Sequence, residues 1–195
     1  MKAIETIYNG YRFRSRLEAR WAVFFDEMNI KYEYEPEGFE EENEKGHKIM
    51  YLPDFYLPES KLYAEVKGTT YRGGIPKKDA IKMAHMIKST DVCPNGIILL
   101  GDIPCPTEDD DMLYAIWKYN GKGLVWGYEM CKYPTGDLKN FLDYEYTGNY
   151  FEPNDDLALT GCISFDYPDG LRSDGKVTKA LGYARQARFE HDENK

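Results

Sequence analysis

An α/β fold, with a mixed β-sheet flanked by helices, an added hairpin and a C-terminal helix, is what three features of this 195-residue chain predict. Apolar residues recur at helical spacing from Ser15 to Asn29. Two short strands within residues 51–67 are followed by a helical segment and a fully apolar run, the order of a parallel crossover. Farther on, two alternating segments flank an Asn-Gly-Lys-Gly turn, which is good hairpin chemistry.

Leu17, Trp21, Phe24, Phe25 and Met28 fall at i, i+4, i+7, i+8 and i+11, so Ser15 to Asn29 is expected to be an amphipathic helix lying on a sheet. Ser15-x-x-Glu18 at its start has the form of a capping box. Lys31 to Glu35 alternates Tyr and Glu and is expected to form a half-buried strand, leading into Pro36 and a polar loop through Lys48. Residues 51–67 form the central hairpin. Tyr71-Arg72-Gly-Gly breaks the chain, and Pro76 opens a helix to about Ser89 with Ala80, Ile81, Ala84 and Ile87 inward and Lys77, Lys78, Lys82 and Lys88 outward.

Asn95 to Leu100 is expected to be a buried central strand, parallel to its predecessor. Leu113 to Tyr119 and Leu124 to Met130 form the second hairpin, in which Trp117 and Trp126 either pack across the strands or stack bases. Residues 131–173 are aromatic and broken by Gly and Pro, and no element is assigned to them. Asp174 caps a last helix with Val177, Ala180, Leu181 and Ala184 on one stripe. The domain reading is a core over residues 1–130 and an aromatic-rich extension over 131–195, ending in that helix and packed on the core.

The chemistry concentrates in the central hairpin. With Pro58 to Lys61 as the turn and Leu57 facing Leu62, Asp54 stands opposite Glu65. Period-two alternation puts Lys67 on the face of Glu65 and turns Val66 into packing. Carboxylates with Cβ atoms about 5 Å apart repel unless one takes a proton or a cation joins them. Oxygen ligands suit Mg²⁺ or Mn²⁺, ions that commonly keep waters and bind substrate phosphate. A compact ammonium beside them completes a phosphodiester-hydrolysing set, with Asp54, Glu65 and Lys67 as the catalytic residues. The plainer reading is an exposed hairpin whose Glu65 and Lys67 form a surface ion pair worth under about 1 kcal/mol.

Pro53-Asp54 with Glu65-Val66-Lys67 resembles the PD-(D/E)XK nuclease superfamily, of restriction-endonuclease-like fold. Arg14 to Phe25, followed by Tyr34-Glu-Pro-Glu-Gly-Phe39, looks like the opening of its small phage and prophage members. The resemblance covers residues 8–102 and implies a metal-dependent nuclease acting on DNA, whether duplex, single-stranded or branched, with phage or prophage origin. It implies Asp54, Glu65 and the Val66 carbonyl as metal ligands and Lys67 as the assisting cation. Glu18 is either a further ligand or the cap. Arg14, Arg16, Arg72, Lys77, Lys78 and Lys82 are candidate phosphate contacts, though bases on helices also serve as solvated faces.

A net charge of −9 works against nonspecific nucleic-acid binding. Acids gather at Glu40 to Glu44 and Glu108 to Asp111, which are expected to be solvated loops. The alternative function is therefore a catalytically silent acidic protein of the same fold that binds a host protein, as a DNA mimic. The four cysteines lack metal or disulfide spacing, and the N-terminus lacks a signal-like run, so a soluble cytoplasmic protein is expected, with a homodimer left open.

Overall fold

The computed structural model describes residues 3–43, 45–68, 77–89, 91–103, 111–119, 124–130, 144–151, 163–165 and 175–189. The chain opens with a hairpin, β1 (Thr6–Tyr8) and β2 (Tyr11–Phe13), that the sequence reading did not anticipate. Its turn is Asn9-Gly10, both at positive φ (46° and 82°), the conformation a two-residue hairpin turn requires. Helix α1 (Arg16–Met28) follows, with Ser15 as N-cap and Asn29, left-handed at φ 57°, as C-cap. These bounds match the expected helix. Trp21, Phe24, Phe25 and Met28 are buried, and Leu17 is partly so.

Strand β3 (Glu33–Tyr34) is shorter than the Lys31 to Glu35 expected, because Glu35 turns the chain at φ 45°. The expected loop from Pro36 to Lys48 is corrected: β4 (Phe39–Glu42) and β5 (Lys48–Tyr51) pair there as a separate antiparallel hairpin. Its turn is organised by the Asn43 side-chain oxygen, which accepts the amides of Lys45 and His47, and by Gly46 at φ 75°. Glu40, Glu41 and Glu42 are exposed as expected, but on a strand.

Next come β6 (Phe55–Leu57), β7 (Leu62–Val66), helix α2 (Lys77–Lys88) and β8 (Ile97–Leu100). Leu57 pairs with Leu62 and Phe55 with Ala64, the expected register, and β8 runs parallel to β7. Strands β9 (Asp111–Tyr119) and β10 (Leu124–Met130) are antiparallel, with Trp117 and Trp126 as direct partners. Two elements fall in the segment left unassigned, β11 (Tyr144–Phe151) on β10 and β12 (Ile163–Phe165) on the start of β9. The main sheet runs β11-β10-β9-β8-β7-β6-β3. Helix α3 (Gly175–Gln186) closes the described chain and packs on α1. Asp174, its expected cap, lies outside the described residues.

Alternation along β8 shows how the sheet is covered. Ile98 and Leu100 enter the core beneath α1 and α3, while Ile97 and Leu99 meet Met83, Met86 and Ile87 of α2 on the other face. Ile81, expected inward, is only partly buried; Met83 and Met86 take the deep positions of α2. Trp21 ties α1 to the sheet by donating its indole N–H to the Gly101 carbonyl at 2.8 Å. Among the described residues, no helix is long and apolar enough to cross a membrane.

An aromatic cluster anchors the central hairpin. Phe55, fully buried, lies within 5.3–6.0 Å centroid distance of Phe13, Phe25, Tyr32 and Tyr34. Phe55→Ala should therefore lower unfolding free energy by about 3–5 kcal/mol. Urea denaturation checks this, and a loss below about 1 kcal/mol contradicts the anchoring.

Candidate functional site

Asp54 precedes β6, and Glu65 is the fourth residue of β7. The hairpin register sets them opposite each other, and the alternation that buries Val66 under α1 turns Glu65 to the α2 face. Each is 3% exposed. A cavity of about 710 Å³ opens above them, lined also by Arg14, Glu18, Tyr51, Val66, Lys67 and Lys82. Close packing fixes the end of the hairpin: a Cβ at Gly68 would meet Leu17 Cδ2 at 3.2 Å.

Each carboxylate is held on one oxygen by a structural donor and on the other by a side-chain cation. Asp54 Oδ2 accepts the Val66 amide at 2.7 Å, and Oδ1 accepts Arg14 Nη2 at 2.9 Å. Glu65 Oε2 accepts the Tyr51 hydroxyl at 2.5 Å, and Oε1 pairs with Lys67 Nζ. Arg14 also reaches Glu35 Oε1 through Nε, at 2.5 Å. Tyr51 and Glu35 were not among the expected site residues; no local pattern marks them, because hairpin β4–β5 and the turn at Glu35 bring them here.

Glu18 is buried, and its oxygens are committed to the helix start. Oε1 accepts the Ser15 hydroxyl at 2.6 Å, while Oε2 accepts the Tyr34 hydroxyl at 2.6 Å and the Arg14 amide at 3.1 Å. Ser15 Oγ in turn accepts the Glu18 amide, so the pair is a capping box whose Glu reaches one residue farther back than usual. Among the described residues, no three His, Cys, Asp or Glu side chains are grouped to hold a metal ion. The acids that face each other at the cavity base are Asp54 and Glu65. Two carboxylates suffice for Mg²⁺, which keeps several waters, so the residues present fit such an ion.

Of the expected phosphate contacts, Arg14 and Lys82 line the cavity and Arg16 is exposed on the first turn of α1. The side chains of Lys77 and Lys78, and all of Arg72, lie outside the described residues. Asp79 of α2 also lines the cavity. No family model matches the chain, and neither a curated protein nor a solved structure matches it.

Burial, then the charge of Glu65, pushes the Asp54 carboxyl up to about 8; the Val66 amide and Lys67 pull the other way without offsetting this. Burial works against the Lys67 ammonium, but Glu65 and Asp54 outweigh it and raise its pKa. The buried Tyr51 hydroxyl is raised well above its usual value by burial and by Glu65, so it stays a donor. Of the two acids, Asp54 is the one that burial and its neighbour push towards the protonated form.

For Asp54 the folded pKa lies above the unfolded one, about 3.9. Its contribution to stability is fully present below about pH 4 and is lost as pH rises towards 8. Metal-free protein should therefore show a urea midpoint that falls between pH 5 and 8, and Asp54→Asn should flatten that fall. An unchanged slope in the variant would assign the pH dependence elsewhere.

Proposed function

We propose that this chain is a divalent-metal-dependent nuclease that hydrolyses phosphodiester bonds in DNA, on a restriction-endonuclease-like core formed by α1, the β6–β7 hairpin, α2 and β8. One observation carries the reading: two buried carboxylates face each other at the base of an open cavity, with a lysine beside them. Burying such a pair costs several kcal/mol per ion. A divalent cation joining the two carboxylates would offset that cost.

Asp54, Glu65 and the Val66 carbonyl would hold Mg²⁺ or Mn²⁺. When bound, such an ion acidifies water and stabilises a leaving oxygen. The chain's own groups do the rest. The Val66 amide and Tyr51 hydroxyl orient one oxygen of each carboxylate, leaving the other oxygens on the sides now taken by Arg14 and Lys67. Lys67, partly exposed to the cavity, supplies positive charge where the phosphate gains negative charge in the transition state. Arg14, half exposed and tethered through Glu35, has room to leave Asp54 for a substrate phosphate.

The test is cleavage of plasmid, single-stranded and branched DNA with Mn²⁺, comparing wild type with Lys67→Ala prepared identically. Removing one transition-state charge partner should cost about 10²–10³ in rate. Equal activity in the two proteins would locate the chemistry elsewhere or in a contaminant. Silence from both on every substrate would favour the acidic binding protein.

A further inference from the structure

One wall of the cavity is open and carries apolar groups beside Glu40, which also lines it and pairs across the hairpin with Met50. Gly38, Phe39, Met50 and Leu52, from or beside hairpin β4–β5, line it, with Met50 62% and Leu52 39% exposed. Both side chains are exposed to solvent in the cavity lining, where nothing in hydrolysis itself uses an apolar group. A nucleobase does. Every base presents a π-face to apolar and aromatic platforms, and a methionine sulfur makes favourable contacts with aromatic rings.

Size and charge determine which form of DNA can use that wall. Asp54 and Glu65 lie at the floor, so the scissile phosphate has to come inside. A volume of about 710 Å³ falls within the range of about 300–1,000 Å³ that encloses one compact ligand. A continuous duplex keeps its bases stacked and would have to extrude one. Hairpin β4–β5 also exposes Glu42, with Glu40 paired to Lys48 and Glu41 against His85, on a chain of net charge −9. Duplex DNA brings one phosphate per about 1.7 Å against these acids, and a single strand one per about 3.4 Å, so repulsion falls when the partner strand is absent.

We infer that the site takes an unpaired nucleotide of single-stranded DNA, its base against Met50 and Leu52 and its phosphate towards Arg14, Lys67 and Lys82. This rests on the nuclease reading and narrows its substrate. Hairpin β4–β5 is held for the purpose at two points, by buried Tyr51 bonded to Glu65 and by Glu41 Oε2 at 2.9 Å from His85 Nδ1 on α2.

Fluorescence anisotropy in Ca²⁺ tests it, using a short labelled DNA strand, its duplex and the RNA strand of the same sequence. The single DNA strand should bind about tenfold or more tighter than the duplex, and Met50→Glu should weaken it by about tenfold while leaving thermal stability unchanged. Met50→Leu should retain binding. Equal or tighter binding of the duplex or of RNA, or indifference to Met50→Glu, overturns the inference. Lys67-dependent cleavage of duplex alongside such a result leaves the nuclease reading standing. Single-strand binding sensitive to Met50, with no cleavage of any DNA, supports this surface and removes the nuclease reading.

Discussion

The repulsion between Asp54 and Glu65 is the constraint around which the rest of the structure is arranged. Two carboxylates at 3% exposure would each lower their energy by moving to water or by taking a proton. They stay because both sides of the hairpin are pinned. Beneath α1, Phe55, Leu57, Ala64 and Val66 pack with the helix, so neither strand can rotate without exposing core. On the other face, the Val66 amide and Tyr51 hydroxyl hold one oxygen of each acid. The remaining negative charge meets Arg14 and Lys67.

The same arrangement reconciles an acidic chain with the proposed phosphate-cutting site. Several acids are paired: Glu40, in the cavity lining, with Lys48, Glu59 with Lys31 at 3.0 Å, and Glu5 with Arg12 at 3.6 Å. Exposed pairs of this kind contribute little to stability. They do moderate the field that an approaching phosphate meets, and two cations of the cavity lining, Arg14 and Lys67, contact the carboxylates themselves. A cation bound between Asp54 and Glu65 would shift the local balance further, since a divalent ion is often the largest charge in its site.

The parts of the fold that were legible in the sequence are those written in local periodicity. The stripe from Leu17 to Met28, the turn length between Leu57 and Leu62, and the apolar run at Ile97 each determine their element with little outside help. The first hairpin was missed although its turn signal, Asn9-Gly10 between Tyr8 and Tyr11, is a strong one. The β4–β5 hairpin was harder. Its strand of successive glutamates has poor β propensity, and it forms because Tyr51 is buried against α2 and β8 while Asn43 and Gly46 make the turn. Tyr51, Glu35 and the second duty of Arg14 were beyond reach, because each meets the carboxylates only through tertiary contacts. Glu18 was poised between ligand and cap, and Tyr34, sixteen residues away in sequence, joins Ser15 in committing it to the cap.

The central claim is that Asp54 and Glu65 form a divalent-cation site. Calorimetric titration of the chelated protein with Mn²⁺, alongside Asp54→Asn and Glu65→Gln, addresses it without any substrate. The account predicts saturable binding of Mn²⁺ by the wild type that is lost or greatly weakened in both variants, with their folds intact by circular dichroism. Absence of Mn²⁺ binding, or equal binding by Asp54→Asn, would contradict it.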